Sequence, residues 1–438
     1  MLTDVLVPHN RWDLLASHPA PRPRVSVIVA HYEQPAQLAR TIAALNHQTL
    51  VPEQIVVTDD GSRTTPCVSS GVPVSVVAQP DRGFRAAAAR NLGARHATGE
   101  VLVFLDADTV PEPGFLAALT RHVAVCPDVL AVGRRRHADL SALPPGGDPA
   151  AAPRLPEPAW LRTGYAASRD LLDADGRSFR FVISAVLGCR RELFDDLDGF
   201  DERFVGYGGE DWDLGYRAWN AGAVLVHERD AVAWHDGPDW AGRAEDRARK
   251  DVESTRLAAL IPEPQTRGAP LPGTLPDVLV DVTPGLAAAD LVRTVHSLLR
   301  QDHRDLRVRL PAPVDPDVAR LYAGLAGGEE WSPDQRRRAR AHVCVAAPLP
   351  PDAVGAAMRV LVEEDLGTVV LRGSGGVLAV VTSVRAAGRA RRWAARPDVV
   401  ADAFGSATLD VGDGPAPRRD LAGFLAAPSG VDAGTVVR

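Results

Sequence analysis

The run Gly99-Glu100-Val101-Leu102-Val103-Phe104-Leu105-Asp106-Ala107-Asp108 decides how this chain is read. Val101 to Leu105 is apolar throughout and reads as a strand buried on both faces. Two carboxylates then close it, one residue apart. Carboxylates at a strand end are poor core material but good ligands for a hard divalent cation. Further along, Gly206-Tyr207-Gly208-Gly209-Glu210-Asp211-Trp212-Asp213-Leu214 sets a second acidic pair on a glycine-rich turn. A cation-held diphosphate and a base for an acceptor hydroxyl are what the two runs together could supply.

Upstream of the first run, strands and helices alternate. Val25 to Ala30 is a β-branched strand, and Gln37 to Gln48 carries Leu38, Ile42 and Leu45 at helical spacing. Gln54 to Thr58 is a strand ending at Asp59-Asp60-Gly61-Ser62, Val74 to Ala78 is a third, and Ala86 to Ala97 is an Ala-rich helix. Such alternation indicates an α/β sheet, mostly parallel, whose ligands gather beyond the carboxyl ends of strands. Downstream, Pro113 to Val125 reads as a helix, Val129 to Gly133 as a strand and Leu143 to Pro158 as a mobile loop or lid. Phe179 to Leu187 has strand composition, Asp211 to Ala221 is a helix, and Ala223–Val226 and Ala231–Trp234 are two short strands. Ala241 to Leu260 is a charged helix.

Bulk composition narrows the class. A chain of 438 residues is too long for one core. The net charge of −7 and the lack of a long basic run argue against nucleic-acid binding. Arg134-Arg135-Arg136 and Arg336-Arg337-Arg338 read as solvated surface. Cys67, Cys126, Cys189 and Cys344 form no C-x-x-C pair or zinc spacing, so they read as reduced thiols of a cytoplasmic protein. No signal peptide or membrane span is expected.

The Pro-rich stretch 261–276 reads as a linker between residues 1–260 and 277–438. Beyond it the opening repeats. Val25 to Gln48 aligns without a gap on Val278 to Gln301, polar positions included. Ala312-Pro313 then stands at the place of Asp59-Asp60. Leu366 to Leu371 echoes the strand before Asp106, with Arg372-Gly373-Ser374-Gly375 in place of the acidic triplet. The second half therefore reads as a shortened copy of the first, stripped of its carboxylates.

Residues 24 to about 240 resemble the family-2 type of GT-A glycosyltransferases. The resemblance rests on Val25–Val29 with His31-Tyr32, on Asp59-Asp60-Gly61-Ser62, on Gly83 with Ala89 to Ala94, and on Gly99 to Asp108 with Pro111. Asp198-Gly199-Phe200-Asp201-Glu202 and Gly208 to Asp211 with Leu214 and Arg217 complete it. Gly206 to Leu214 is also similar to the C-terminal motif of β-1,4-galactosyltransferases and bacterial chondroitin polymerases. The resemblance implies a GT-A, Rossmann-like catalytic domain, followed here by a degenerate GT-A-like module. It implies Mn²⁺ or Mg²⁺ held by Asp106 and Asp108, with Asp106 reaching ribose or metal, and His235 as a third ligand. It places Asp60 on a uracil edge, with Asp59 on the nucleotide or capping its turn. Ala30, His31 and Glu33 follow the first strand, where the family backbone meets the nucleotide. Arg90 and Asn91 face either the nucleotide or a helix network without ligand.

Asp211 is the implied general base and Glu210 a binder of a donor or acceptor hydroxyl; Asp213 is assigned no role. The implied reaction is inverting transfer of a sugar from a nucleotide sugar, UDP by the resemblance, to a hydroxyl of a saccharide or small molecule. Tyr207, Trp212, Trp234 and Trp240 are either sugar platforms or core. Ser184-Ala185-Val186 departs from the glycine-containing step of many relatives, which leaves the sugar open. The C-terminal module is expected to pack, to dimerise the chain or to hold the acceptor. The rivals are an inactive nucleotide-sugar scaffold, a nucleotidyltransferase, although the loop Ala30 to Pro35 lacks the glycines of a phosphate loop, and a retaining glycosyltransferase, against which the Glu210-Asp211 pair favours inversion.

Overall fold

The computed structural model describes residues 2–238, 247–268, 275–325, 330–394, 402–414 and 421. The chain divides into two compact units, Met1–Ala269 with Val384–Phe404, and Pro270–Ser383 with Gly405–Arg438.

The first unit begins with β1 (Val25–His31), α1 (Pro35–Leu45), β2 (Gln54–Asp59), β3 (Val74–Ala78), α2 (Ala86–His96) and β4 (Val101–Asp106). It continues with β5 (Thr109–Pro111), α3 (Phe115–Thr120), β6 (Val129–Ala138), β7 (Arg154–Leu155), α4 (Ala159–Ala167) and β8 (Val186–Arg190). Then follow α5 (Arg191–Asp196), α6 (Glu210–Asn220), β9 (Val224–Asp236), α7 (Arg247–Leu260) and α8 (Pro264–Arg267). The sheet order is β3-β2-β1-β4-β8-β6-β9-β5, with β7 on β6. It is parallel over its first four strands. Beyond them it is mixed, because β8 runs against both β4 and β6. Val27, Ile28, Val29, Val103 and Phe104 are wholly buried, as expected for strands covered on both faces.

Several sequence expectations need correction. The two short strands predicted around Ala223 and Ala231 are one strand, β9, which bulges between its two segments. Gly133 pairs with Glu228 and Arg134 with Val232. Gly133 permits this, since a Cβ there would lie 2.8 Å from the Ala231 carbonyl oxygen. The helix predicted over Pro113 to Val125 is only Phe115–Thr120. The predicted strand Phe179 to Leu187 is a 3₁₀ turn, Ser178–Phe181, followed by β8. The predicted lid Leu143 to Pro158 contains a 3₁₀ turn and β7, which ties it to β6. The charged helix is described over Arg247–Leu260, and residues 241–246 of its predicted span lie outside the described residues, as does Trp240. The linker 261–276 includes α8, and its residues 269–274 lie outside the described residues.

The second unit contains β10 (Val278–Val282), α9 (Ala288–Leu299), β11 (Leu306–Arg309), α10 (Pro316–Leu321), α11 (Pro333–Arg338) and β12 (Ala341–Val345). After these come α12 (Ala353–Glu363), β13 (Thr368–Gly373), β14 (Gly376–Ser383) and β15 (Ser406–Asp410). Its order, β11-β10-β12-β14-β13-β15, repeats β2-β1-β4-β8-β6-β9 strand for strand. The senses agree at every step: parallel, parallel, antiparallel, antiparallel, parallel. One side-chain network recurs as well. Gln48 donates to the Ala44 and Glu112 carbonyls and accepts from the Leu116 amide. Gln301 donates to the Ser297 and Pro350 carbonyls and accepts from the Val354 amide.

This register corrects the assignment of the acidic triplet's counterpart. β12, not the strand Leu366–Leu371, stands where β4 stands. Ala30 pairs with Asp106, and the equivalent rung in the second unit falls at Thr283 and Ala346, whose predecessors Val282 and Val345 pair. Ala346-Ala347-Pro348 therefore replaces Asp106-Ala107-Asp108. Short apolar strands resemble one another, and only pairing distinguishes them.

Val384 to Arg392 forms α13 and belongs to the first unit. Arg385 donates to the Trp219 and Ala223 carbonyls, and Arg389 donates to those of Gly222 and Val7. Arg392 and the Trp393 indole both donate to buried Asp128, each at 2.8 Å. Asp128 and Ala223 precede β6 and β9, so α13 sits at the amino-terminal ends of these strands. Among the described residues no helix is long and apolar enough to cross a membrane.

Candidate active site

Pairing of Ala30 with Asp106 and of His31 with Asp59 brings the ends of β1, β2 and β4 into line. A cleft of about 810 Å³ opens at this edge. Ala30, His31, Asp60, Arg90, Asp106, Asp108 and His235 line it.

The turn after β2 is built around two adjacent carboxylates with different duties. Asp59 is buried and accepts from the Ser62 amide at 3.0 Å and hydroxyl at 2.6 Å. Its Oδ1 also lies 2.8 Å from His31 Nδ1. The Gln34 amide donates to His31 Nε2, so the imidazole proton resides on Nδ1 and points at Asp59. Gly61 at φ 88° closes the turn where a Cβ would strike the Asp81 backbone at 2.3 Å. Asp60 faces the cleft instead. Its oxygens accept from Gln79 Nε2 at 2.6 Å and from the Arg85 amide at 2.7 Å.

Arg90, on α2, joins the two acidic runs. Its guanidinium donates to Asp106 at 2.8 Å and to Glu210 at 3.0 Å, and lies 4.0 Å from Asp211 Oδ1. The glycine turn before α6 makes this approach possible. Gly206, Gly208 and Gly209 have φ of 98°, 89° and 91°. A Cβ on Gly209 would meet Phe204 at 2.6 Å. The turn starts α6 at Glu210, with its acids at the positive end of the helix.

Asp108 is gripped from both sides, by Gln34 Nε2 at 3.0 Å and by His235 Nδ1 at 3.2 Å. Thr109 pairs with His235 across β5 and β9, and His235 pairs with His137 across β9 and β6. The strand register thus delivers the imidazole to the acidic run.

Residues 26–197 match the family model "Glycosyl transferase family 2", and residues 175–228 match "N-terminal domain of galactosyltransferase". Residues 26–197 of the first unit are thus similar in sequence to glycosyltransferase family 2. Hyaluronan synthase of Pasteurella multocida is 26% identical over 313 residues, 65% of this chain and 32% of that protein. Validoxylamine A glucosyltransferase of Streptomyces hygroscopicus subsp. limoneus is 30% identical over 229 residues, 48% of this chain and 51% of that protein. The chain thus spans 32% and 51% of the length of these curated relatives. Among solved structures, GalNAc-T7 with UDP, GalNAc and Mn²⁺ is similar at a TM-score of 0.37 and 19% identity, over 50% of this chain and 44% of that one.

Not every candidate residue of this unit lines the cleft. Asp59 serves the turn. Glu33 accepts from the Arg63 amide and side chain beside that turn. Asn91 is directed away, donating to the Phe200 carbonyl and Glu202 and accepting from the Phe200 amide. Arg90 is buried among carboxylates, so it organises the cleft wall as well as lining it. Glu210 and Asp211 adjoin Arg90 without lining the cleft; Glu210 is buried, and the Asp211 side chain is 26% exposed. Asp213, assigned no role from the sequence, is wholly buried and bonded to Arg217 at 2.7 Å. Trp234 is core, with its indole on Glu112, whereas Tyr207 is exposed in the cleft. Trp212 packs edge-on against Phe179 and Trp160.

Sequence reasoning missed Gln34, Arg135 and the α7 residues Val252, Glu253 and Arg256, all of which line the cleft. Gln34 had a usable signal, since it lies on the loop just after β1, three residues past His31. Nothing in the charged pattern of α7 distinguishes its cleft face.

The electrostatics of the first unit's cleft follow from burial. Burial, then the neighbouring Asp211 charge, pushes the Glu210 carboxyl up to about 7, against the pull of Arg90. Burial also raises Asp211, opposed by Arg90 and Ser184. Two carboxyls share one guanidinium, so their charge is under-compensated. Asp211 Oδ1 receives no hydrogen bond, which leaves a buried acceptor open. Asp108 behaves oppositely: burial would raise it, but the hydrogen bond and charge of His235 bring it below the ordinary value.

Among the described residues no three His, Cys, Asp or Glu side chains gather closely enough to hold a metal unaided. Asp108 and His235 nevertheless face the cleft together, with Asp106 on the same rim. Carboxylate oxygen with imidazole suits Mn²⁺, and a cation that shares its ligands with substrate phosphates needs only one or two protein carboxylates.

Proposed function

We propose that the chain transfers a sugar from a nucleoside-diphosphate sugar to an acceptor hydroxyl, with inversion at the anomeric carbon. The observation that carries this reading is Arg90, which holds Asp106 of the first acidic run and Glu210 of the second on one guanidinium beside the cleft. Asp211 takes the acceptor proton on Oδ1, the atom left without a hydrogen bond. The acceptor oxygen then forms its bond to the anomeric carbon as the bond from that carbon to the diphosphate breaks. The nucleoside diphosphate departs with the electron pair. Glu210 keeps Arg90 in place and binds a substrate hydroxyl. Asp60 accepts from the ring N–H of the base, which favours uracil and hence a UDP-sugar. Asp106, Asp108 and His235 would hold Mn²⁺ or Mg²⁺, whose chemistry is Lewis-acid stabilisation of the leaving diphosphate. The second unit is a copy without these groups and is assigned no transfer of its own.

A panel of nucleotide sugars, assayed with and without Mn²⁺ for release of nucleoside diphosphate in the presence of saccharide acceptors, tests the reading. Turnover with a UDP-sugar that needs Mn²⁺ and is lost in Asp211→Asn supports it. Turnover undiminished in Asp211→Asn removes the assigned base, and nucleotide binding without any transfer would favour a scaffold.

A further inference from the structure

Arg134-Arg135-Arg136 reads as surface in the sequence, but β6 splits the three. Arg134 and Arg136 point to one side and share Glu157, at 3.2 and 3.1 Å. Arg136 also covers the Trp234 ring at 4.8 Å. Arg135 points to the other side, as strand alternation requires, and lines the cleft with Asp108, His235 and Tyr207. Its strand neighbour on that face, His137, pairs with His235 and stacks edge-on to it at 5.0 Å. The Arg135 charge is felt at both Asp108 and Tyr207: it adds to the lowering of the carboxyl, and at the phenol it opposes the burial that raises it. This guanidinium has no part in the chemistry assigned above.

We infer that Arg135 is the donor-binding residue for an anionic oxygen of the nucleotide sugar, either on the diphosphate or on a carboxylate of the transferred sugar. The inference rests on the nucleotide-sugar reading of the cleft. A guanidinium on a rigid strand presents a fixed fork of donors, which suits a phosphate or carboxylate better than a neutral hydroxyl. At this position the strand is held by β9, where Arg135 pairs with Ala233.

The test measures calorimetric binding of UDP, a neutral UDP-hexose and a UDP-hexuronate to the full chain with Mn²⁺. Wild type is compared with Arg135→Met, which keeps the aliphatic stem, and with Arg135→Lys, which keeps the charge. A charge-assisted contact predicts at least about tenfold weaker binding in Arg135→Met, partly recovered in Arg135→Lys. Equal losses for all three ligands locate the contact on the diphosphate. Loss confined to the hexuronate locates it on the sugar carboxylate and names a uronic acid donor. Binding of all three within twofold of wild type in Arg135→Met overturns the inference while leaving the nucleotide-sugar reading intact. Wild type that binds none of the three overturns both. Thermal melts confirm that each variant is folded, and Arg135→Lys alone decides the matter if Arg135→Met does not fold, since a shortened fork must still lose affinity.

Discussion

At the scale of single residues, the site turns on charge that is deliberately under-compensated. Asp211 should be dispensable for folding and indispensable for turnover. Asp211→Asn removes a carboxyl whose burial already disfavours its charge, so thermal stability should hold or rise. Turnover should fall by about 10²- to 10⁴-fold, the usual worth of a positioned base. Steady-state kinetics with parallel melting curves check both halves. Arg90 should behave in the reverse sense. Arg90→Met leaves Asp106, Glu210 and Asp211 facing one another without a cation, and about 3–5 kcal/mol of stability should be lost near neutral pH. Denaturant titration measures this, and the loss should shrink in acid as the carboxyls take up protons. Glu210 gives a pH signature of its own. Its carboxyl holds a proton up to about 7 when folded, against 4.5 for the ordinary group. The folded state therefore binds the extra proton between these values. The associated stability is full below 4.5 and lost as pH rises through about 7. Melting temperatures of wild type and Glu210→Gln should diverge across this window, the variant declining less.

At the scale of elements, strands and their ends were legible while helix ends and returns were not. β1, β2, β4 and the two acidic runs could be read directly, because a doubly buried strand is an uninterrupted apolar run and a carboxylate marks where it stops. β9 read as two strands because its bulge carries Glu228, Arg229 and Asp230, charges that a sequence assigns to a turn. Glu228 is in fact wholly buried against His122 and Arg121. Arg135 was invisible for a related reason: a charge triplet does not say which member faces inward. The return of α13 to the first unit had no local signal either, since its arginines find their partners far away in sequence. Those partners make a strong prediction. Asp128 is almost wholly buried and is bonded to Arg392 and Trp393, with Arg389 at 3.6 Å. Asp128→Ala should strand buried guanidinium groups and cost about 3–5 kcal/mol, whereas Asp196→Ala, which removes a more exposed partner of Arg392, should cost less. Equal effects in chemical denaturation would contradict this ordering.

At the scale of the whole molecule, two units share one strand topology but not one chemistry. The Gln48 and Gln301 networks agree bond for bond, so the copy preserved what holds a helix start to a sheet. What it lacks are the cleft carboxylates: Ala312-Pro313 stands for Asp59-Asp60, and Ala346-Ala347-Pro348 for Asp106-Ala107-Asp108. Among the described residues its buried acids are Asp277 and Asp305, and Asp277 is taken by Arg340 at 2.6 Å and His303 at 3.1 Å, a closed arrangement that offers nothing to a ligand. Packing and chemistry have thus been separated within one chain. Nucleotide binding should consequently be counted once per chain, not twice. Calorimetric titration of UDP with Mn²⁺ should give a stoichiometry near one, and Asp108→Ala should abolish that single event without revealing a weaker second. A residual Mn²⁺-dependent site in Asp108→Ala would mean that the second unit binds nucleotide through groups unrelated to those of the first, and that the loss of its carboxylates was not a loss of function.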